Sequence, residues 1–219
     1  MQCGPIRHRM SSRSTTASGE LKLEVMVRNT GFTRPADRDE SIQDVFRALV
    51  QDHARLRFVT EEVAMAVRAK RRCLVLSEWK EHCRLLSEHL AAKGVLPFVV
   101  DGNVKKSVRE AILEEVRNLP PEKEFVLIAT GQYLGEGFDC PQADTLFLTF
   151  PISFKGKLIQ YLGRIMRPYP GKTVAHVYDY DDVSVPVLRQ MHLRRLKTYA
   201  VLDAHGMGTP SDQGTLSFS

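Results

Sequence analysis

The chain has 219 residues, 43% hydrophobic and 26% charged, with 14 Gly, 11 Pro and a formal net charge of +5. A chain this long buries roughly 70% of the surface its unfolded form exposes, so it needs neither disulfides nor metals for a core, yet it is too short for two full-sized catalytic domains. No window reaches the roughly 18 consecutive apolar residues of a membrane span, and the opening MQCGPIRHRMSSRS lacks an apolar stretch of signal-peptide length, so a cytoplasmic location is expected.

Along the chain, residues 21–27 (LKLEVMV) alternate apolar and polar side chains as a half-buried strand does, and Asn29-Thr30-Gly31 ends the run. Ser41 reads as an N-cap for a helix carrying Ile42, Val45, Phe46, Leu49 and Val50. A second helix is expected over 59–70, capped by Thr60. From Cys73 a regular alternation begins: strand 73–77, helix 79–93 closed by Gly94, strand 97–100, helix 104–119 and strand 125–130. Strand 144–150, helix 158–166, strand 174–180 and a basic closing helix over 186–202 follow. Short continuously apolar strands alternating with amphipathic helices predict βαβ units and a mostly parallel α/β sheet with helices on both faces. Residues 206–219 are small and polar, and are expected to form a disordered tail.

The charge is uneven. Residues 1–38 hold 7 Lys/Arg against 3 Asp/Glu and residues 151–205 hold 9 against 4, whereas 39–150 hold 15 against 18. A basic excess attracts polyanions at long range, although a solvated face carries the same signature. Cys3, Cys73, Cys83 and Cys140 show no CxxC spacing, and His8, His53, His82, His89, His176, His192 and His205 are scattered. Reduced thiols are therefore expected, with no metal site and no Ser-His-Asp or Cys-His nucleophile.

In parallel sheets, ligands bind beyond the carboxyl ends of the strands, so the loops there carry the chemistry. The strongest pattern is QYLGRIMR over 160–167, followed by Pro168. If helical, it sets Gln160, Gly163, Arg164 and Arg167 on one face. Two forked guanidiniums beside a glycine suit a phosphate chain, and they equally suit a solvated helix end; the residues alone leave both open. A second pattern, IATGQYLGEGFDCP over 128–141, runs a buried strand into a loop with Gly131, Gly135 and Gly137, where backbone N–H groups can approach a ligand closely. Thr130 can donate to a phosphate there and Asp139 can accept from a ribose hydroxyl. Ser77-Glu78 and Asp101-Gly102-Asn103 fall at the ends of two further strands. Gly171-Lys172-Thr173 imitates the end of a P-loop, but Met166 stands where the pattern requires glycine and a strand follows, so it reads as a turn. Asp37-Arg38-Asp39-Glu40 has no preceding apolar strand and reads as a lead-in to a helix rather than an acidic magnesium motif.

Together and in this order, these pieces resemble the second, C-terminal RecA-like lobe of superfamily 2 helicases and translocases. The likeness is to the DEAD/DEAH-type group that includes the helicase subunit of type III restriction enzymes and the DNA-repair translocases. CLVLSEWKEHCRLLSEHL is similar to motif IV, VLIATGQYLGEGFDCPQADTLFL to motif V, and QYLGRIMRP to motif VI. Gly4-Pro5-Ile6-Arg7 and the strand after it resemble the link between lobes. The division implied is an interlobe link and first strand over 1–35, a helicase C-terminal domain over 36–205, and the tail.

The resemblance implies that Arg164 and Arg167 are arginine fingers reaching an ATP held mainly by the first lobe, with Gln160, Gly163, Gly137 and Asp139 on the nucleotide side of the cleft. It implies that Ser77, Gly102, Thr130 and Gly131 contact the phosphate backbone of a nucleic-acid strand, with DNA the expected polymer. ATP and Mg²⁺ are expected as cofactors only when the first lobe, on the same or another chain, supplies the P-loop lysine and acidic motif that this sequence lacks. The chain alone is expected to be inactive as an ATPase. The alternative expectation is a stand-alone module that binds nucleic acid or a protein without catalysis.

Overall fold

The computed structural model describes residues 9–16, 19–35, 40–131, 139–152 and 154–204. Seven strands form one sheet: β1 (Arg9–Thr16), β2 (Gly19–Asn29), β3 (Arg72–Ser77), β4 (Phe98–Val100), β5 (Phe125–Thr130), β6 (Thr145–Leu148) and β7 (Val174–Asp181). Their order across the sheet is β1-β2-β7-β6-β3-β5-β4. Strands β2 to β7 are all parallel, and β1 alone lies antiparallel, against β2. Six helices accompany them: α1 (Ile42–Gln51), α2 (His53–Arg68), α3 (Lys80–Ala91), α4 (Lys106–Arg117), α5 (Lys155–Ile165) and α6 (Pro186–Ala204).

The mostly parallel α/β sheet read from the sequence is the architecture found. Alternate residues of each central strand supply two separate cores. Leu74, Leu76, Leu127, Ala129, Leu146 and Leu148 point to the face covered by α4, α5 and the end of α6. Cys73, Val75, Val126, Ile128 and Phe147 point to the other face, under α2 and α3. A third cluster, with Val45, Leu49, Phe150, Leu188 and Met191, joins α1 to the start of α6. Burial on both faces explains why β3, β5 and β6 read as unbroken apolar runs.

Three features depart from the sequence reading. The second helix starts six residues before the expected 59, because Asp52 and not Thr60 caps it: the Asp52 carboxylate accepts from the Arg55 N–H at 2.6 Å. Thr60 is buried inside that helix, its hydroxyl donating back to the Leu56 carbonyl at 2.8 Å. Strand β1 had no expectation at all, since RMSSRSTT shows no apolar alternation and its pairing with β2 is a backbone matter. Strand β2 is no mere outlier before the domain. It lies inside the sheet between β1 and β7 and buries Leu21, Leu23 and Val25 in the first core. Among the described residues, no helix is long and apolar enough to cross a membrane. Gly4–Arg7, residues 36–39 and the tail after 204 lie outside the described residues.

Candidate phosphate-binding face

The loops that carried unusual residues in the sequence meet at the carboxyl edge of the sheet. Ser77, the last residue of β3, lies beside Thr130, the last of β5, and Val100 of β4 lies beside Ala129, so the loops that follow are neighbours. Ser77 is buried, and its hydroxyl is used internally: it lies 3.0 Å from the His82 imidazole and accepts from the Trp79 N–H at 3.1 Å. Gly102 stands in a turn held by Asp101, whose carboxylate accepts from the Asn103 N–H at 2.8 Å. Thr130 is buried at the strand end.

Gly131 has no room for a side chain. A Cβ there would collide with the Tyr161 hydroxyl and a Glu78 carboxylate oxygen. Tyr161, on α5, reaches Glu78 at 3.3 Å, and Lys157 pairs with the same carboxylate at 3.0 Å. Burial, then the Glu78 charge, push the Tyr161 phenol well above its ordinary value. The loop after β3, the loop after β5 and α5 are thus locked at one point. Glu78 had drawn little notice in the sequence and Tyr161 none, because their partners are more than 75 residues away along the chain.

Of the four residues expected to share a helical face, Gln160, Gly163 and Arg164 lie on α5. Arg167 stands just past the helix, which ends at Ile165 with Met166 as its C-cap. The continuation holds the two arginines together even so. The Arg167 N–H donates to the Arg164 carbonyl at 3.2 Å, and Arg167 forms an ion pair with Asp139. Gln160, Gly163 and Arg167 are exposed and Arg164 is half-buried. A Cβ on Gly163 would meet only open space, so nothing inside this lobe demands glycine there. Partial burial, then the nearby Arg167 charge, lower the Arg164 pKa from the usual guanidinium value, while Asp139 opposes the shift. Asp139 thus pairs with Arg167 while its charge also favours the Arg164 guanidinium, and its Oδ1 has no hydrogen-bond partner among the described residues. Gly137 lies outside the described residues.

Lys172, in the segment that imitates a P-loop, sits in a turn as expected. Gly171 has φ +76°, and the Lys172 N–H closes on the Tyr169 carbonyl at 3.0 Å. Its side chain is buried and donates to the Pro141 and Arg167 carbonyls at 3.0 and 3.1 Å. Burial brings its ammonium down to about 8. It ties the segment following Asp139 to the end of the arginine helix. Among the described residues, no group of three or more His, Cys, Asp or Glu is gathered as metal ligands would be.

A parallel sheet with its loops converging on a paired-arginine helix end matches the family model described as "Helicase conserved C-terminal domain" over residues 54–169, just over half of the chain. The chain belongs to that family. Similar curated proteins include the transcript termination protein A18 of fowlpox virus, 22% identical over 66% of this chain and 31% of its own length. The A18 protein of Yaba-like disease virus is 25% identical over 55% and 24%. The chain therefore spans less than a third of either. An uncharacterised protein, 108L of invertebrate iridescent virus 3, is 35% identical over 41% of this chain and 80% of its own length. Among solved structures, T4 UvsW superposes with a TM-score of 0.63 at 17% identity, covering 83% of this chain and 40% of that one. The C-terminal part of the Fun30 ATPase domain superposes with a TM-score of 0.52 at 13% identity, covering 72% and 47%. At those identities the likeness concerns the fold alone, and it agrees with the RecA-like sheet described above.

Proposed function

We propose that this helicase C-terminal domain serves as the second lobe of an ATP-dependent helicase or translocase. In that role it supplies Arg164 and Arg167 to the phosphates of ATP, and strand-end backbone to a nucleic-acid strand, DNA in the first instance. The observation that carries the reading is the arginine pair at the helix end: Arg167 donates its N–H to the Arg164 carbonyl and pairs with Asp139, the one carboxylate in an ion pair with either arginine among the described residues. Two adjacent cations with one anion are electrostatically incomplete, and an arriving phosphate group completes them through forked N–H donors.

The residues present suit the phosphate end of a nucleotide and nothing more of it. Lys172, the one lysine in a P-loop-like setting, is committed to two backbone carbonyls and cannot reach a phosphate. Bound ATP with Mg²⁺ would supply the transferable phosphoryl group, whose charge arginines of this kind stabilise. Within this chain Arg164 and Arg167 bind and orient, Asp139 aims Arg167, and Lys172 holds Asp139's loop against the helix end. The P-loop lysine and metal-binding carboxylates are assigned to a first lobe, so the 219-residue chain by itself has no route to hydrolysis. The buried Cys73, Cys83 and Cys140 are free thiols, and burial raises the pKa of each, which makes them poor nucleophiles.

Joining a first RecA-like lobe that carries both missing motifs upstream of Gly4 tests this reading. The joined protein should hydrolyse ATP faster when single-stranded DNA is added. Arg164→Ala or Arg167→Ala should lower kcat by about 10³-fold or more. A well-folded joined protein that hydrolysed ATP equally fast without both arginines would overturn the assignment.

A further inference from the structure

Helix α6 lies wholly beyond the family-matched residues, yet it forms one wall of a groove beside the arginine helix. The groove, about 270 Å³, runs between the start of α5 and the middle of α6, and its walls include Phe154, Lys155, Leu158, Arg194, Lys197 and Val201. Its floor is apolar, since Leu158 is buried, and its rim is cationic: among the described residues no acidic side chain lines it. Lys155, Arg194 and Lys197 are exposed and have no ion-pair partner among the described residues. On α6, Arg194, Lys197 and Val201 follow at helical spacing and so form one stripe along the groove.

Phe154 is 67% exposed, although a phenylalanine gains more than most side chains from burial. Its ring lies across the first turn of α5, where a Cβ on Gly156 would come within 2.7 Å of ring Cε1. The absence of a side chain at Gly156 leaves room for the ring, and most of the Phe154 surface stays open to solvent. The first turn of α5 holds no acidic residue, and Lys155 stands at its positive end, adding to the helix dipole where an acid would offset it. An aromatic face presented beside three unpaired cations suits a ligand that repeats an anion and carries a flat apolar group.

We propose that this groove is an additional contact for single-stranded nucleic acid, in which an unpaired base stacks on the open face of Phe154 and flanking phosphates rest on Lys155, Arg194 and Lys197. The proposal rests on the nucleic-acid-binding reading given above and adds a site that the strand-end loops do not include. Stacking of this kind tolerates any base, so the contact gives affinity along a strand without sequence readout.

The test is anisotropy of a short fluorescein-labelled oligothymidine, and of an abasic oligomer of the same length, titrated with the full chain across a range of salt concentrations. Phe154→Ala should weaken oligothymidine binding about 5- to 150-fold and leave the abasic oligomer unaffected. The double variant Lys155→Ala with Lys197→Ala should reduce the slope of log affinity against log salt by about 1.4, two phosphates' worth for a single strand. Both changes are at exposed side chains, so thermal melts should match the parent chain. If the variants bind with unchanged affinity and slope while the parent binds well, the groove is not a contact and the broader nucleic-acid reading survives. If the parent binds neither oligomer even at low salt, both fall. Equal losses for the two oligomers on Phe154→Ala would refute the stacking geometry.

Discussion

Residues matter here chiefly through what burial does to their charge. His82 is fully buried behind the loop after β3, and burial, with the Arg55 charge adding, brings its imidazole from 6.5 down to about 3. A folded-state value below the unfolded one means that the unfolded chain takes up a proton the folded chain refuses. Stability therefore falls as pH drops below about 6.5, by up to ~1.4 kcal/mol per pH unit, until the folded form also protonates near 3. Asp179 titrates lower. Burial opposes its charge, but Arg195 and His192 outweigh that and hold it at about 2, so the stability it contributes is lost only below about pH 4. We expect urea midpoints measured between pH 7 and 4 to fall for the parent chain and to fall distinctly less for His82→Gln. An unchanged profile in the variant would remove His82 as the cause. Gly131 shows the complementary limit, a position fixed by sterics alone, since Tyr161 and Glu78 already occupy the space a Cβ would take.

At the scale of elements, helices are attached to the sheet by buried charge as well as by apolar faces. Arg55, 1% exposed in the first turn of α2, donates Nε to Asp182 at 2.9 Å and Nη1 to the Thr149 carbonyl at 2.9 Å, and so ties α2 to the carboxyl ends of β6 and β7. Arg195 does the same for α6, donating to Asp179 and to the Ile152 and Tyr180 carbonyls, with the Tyr199 hydroxyl also on Asp179. Removing one member leaves a buried charge without its partner, which costs more than the pair contributes. Arg55→Met should lower unfolding free energy by about 3–5 kcal/mol. Asp52→Ala, which removes only the cap of the same helix, should cost about 1 kcal/mol. Chemical denaturation of the two variants checks both the values and their order; a cap loss larger than the Arg55 loss would contradict the assignment.

For the whole molecule, the family match at 54–169 leaves out three of the sheet's seven strands, β1, β2 and β7. It stops short of β7, the neighbour of β6, and of β2, which pairs with β7 from residue 22 to 29. Cutting there leaves β6 as an exposed parallel edge and opens the core that Leu21, Leu23, Val25, Ala175 and Val177 close. A fragment of residues 54–169 should give no cooperative thermal transition by circular dichroism, whereas residues 19–204 should give one. A sharp transition in the shorter fragment would show that β2 and β7 are dispensable.

Much of the architecture was legible in the sequence because parallel strands buried on both faces carry their apolar runs locally. The 125–130 strand appears with the bounds its residues suggested, and Ser41 caps α1 as expected. The arginine pattern of 160–167 was visible as a local spacing, although the shared helical face it suggested holds only for Gln160, Gly163 and Arg164, since Arg167 stands past the end of α5. What the residues in isolation left open was whether those arginines merely end a helix in solvent. That depends on Asp139, 28 positions away, and on Lys172, whose buried ammonium closes the turn that brings the two segments together. The charge pairs of Arg55 and Arg195 and the groove beside Phe154 are likewise decided by partners outside their own elements, whereas the α2 cap and the polar edge strand β1 are local contacts that carry no apolar pattern. Hydrophobic periodicity fixes elements and their order because each depends on near neighbours. The placing of charges, and with it the arginine cluster proposed to bind phosphate, is set only once the sheet's register brings distant loops to one edge.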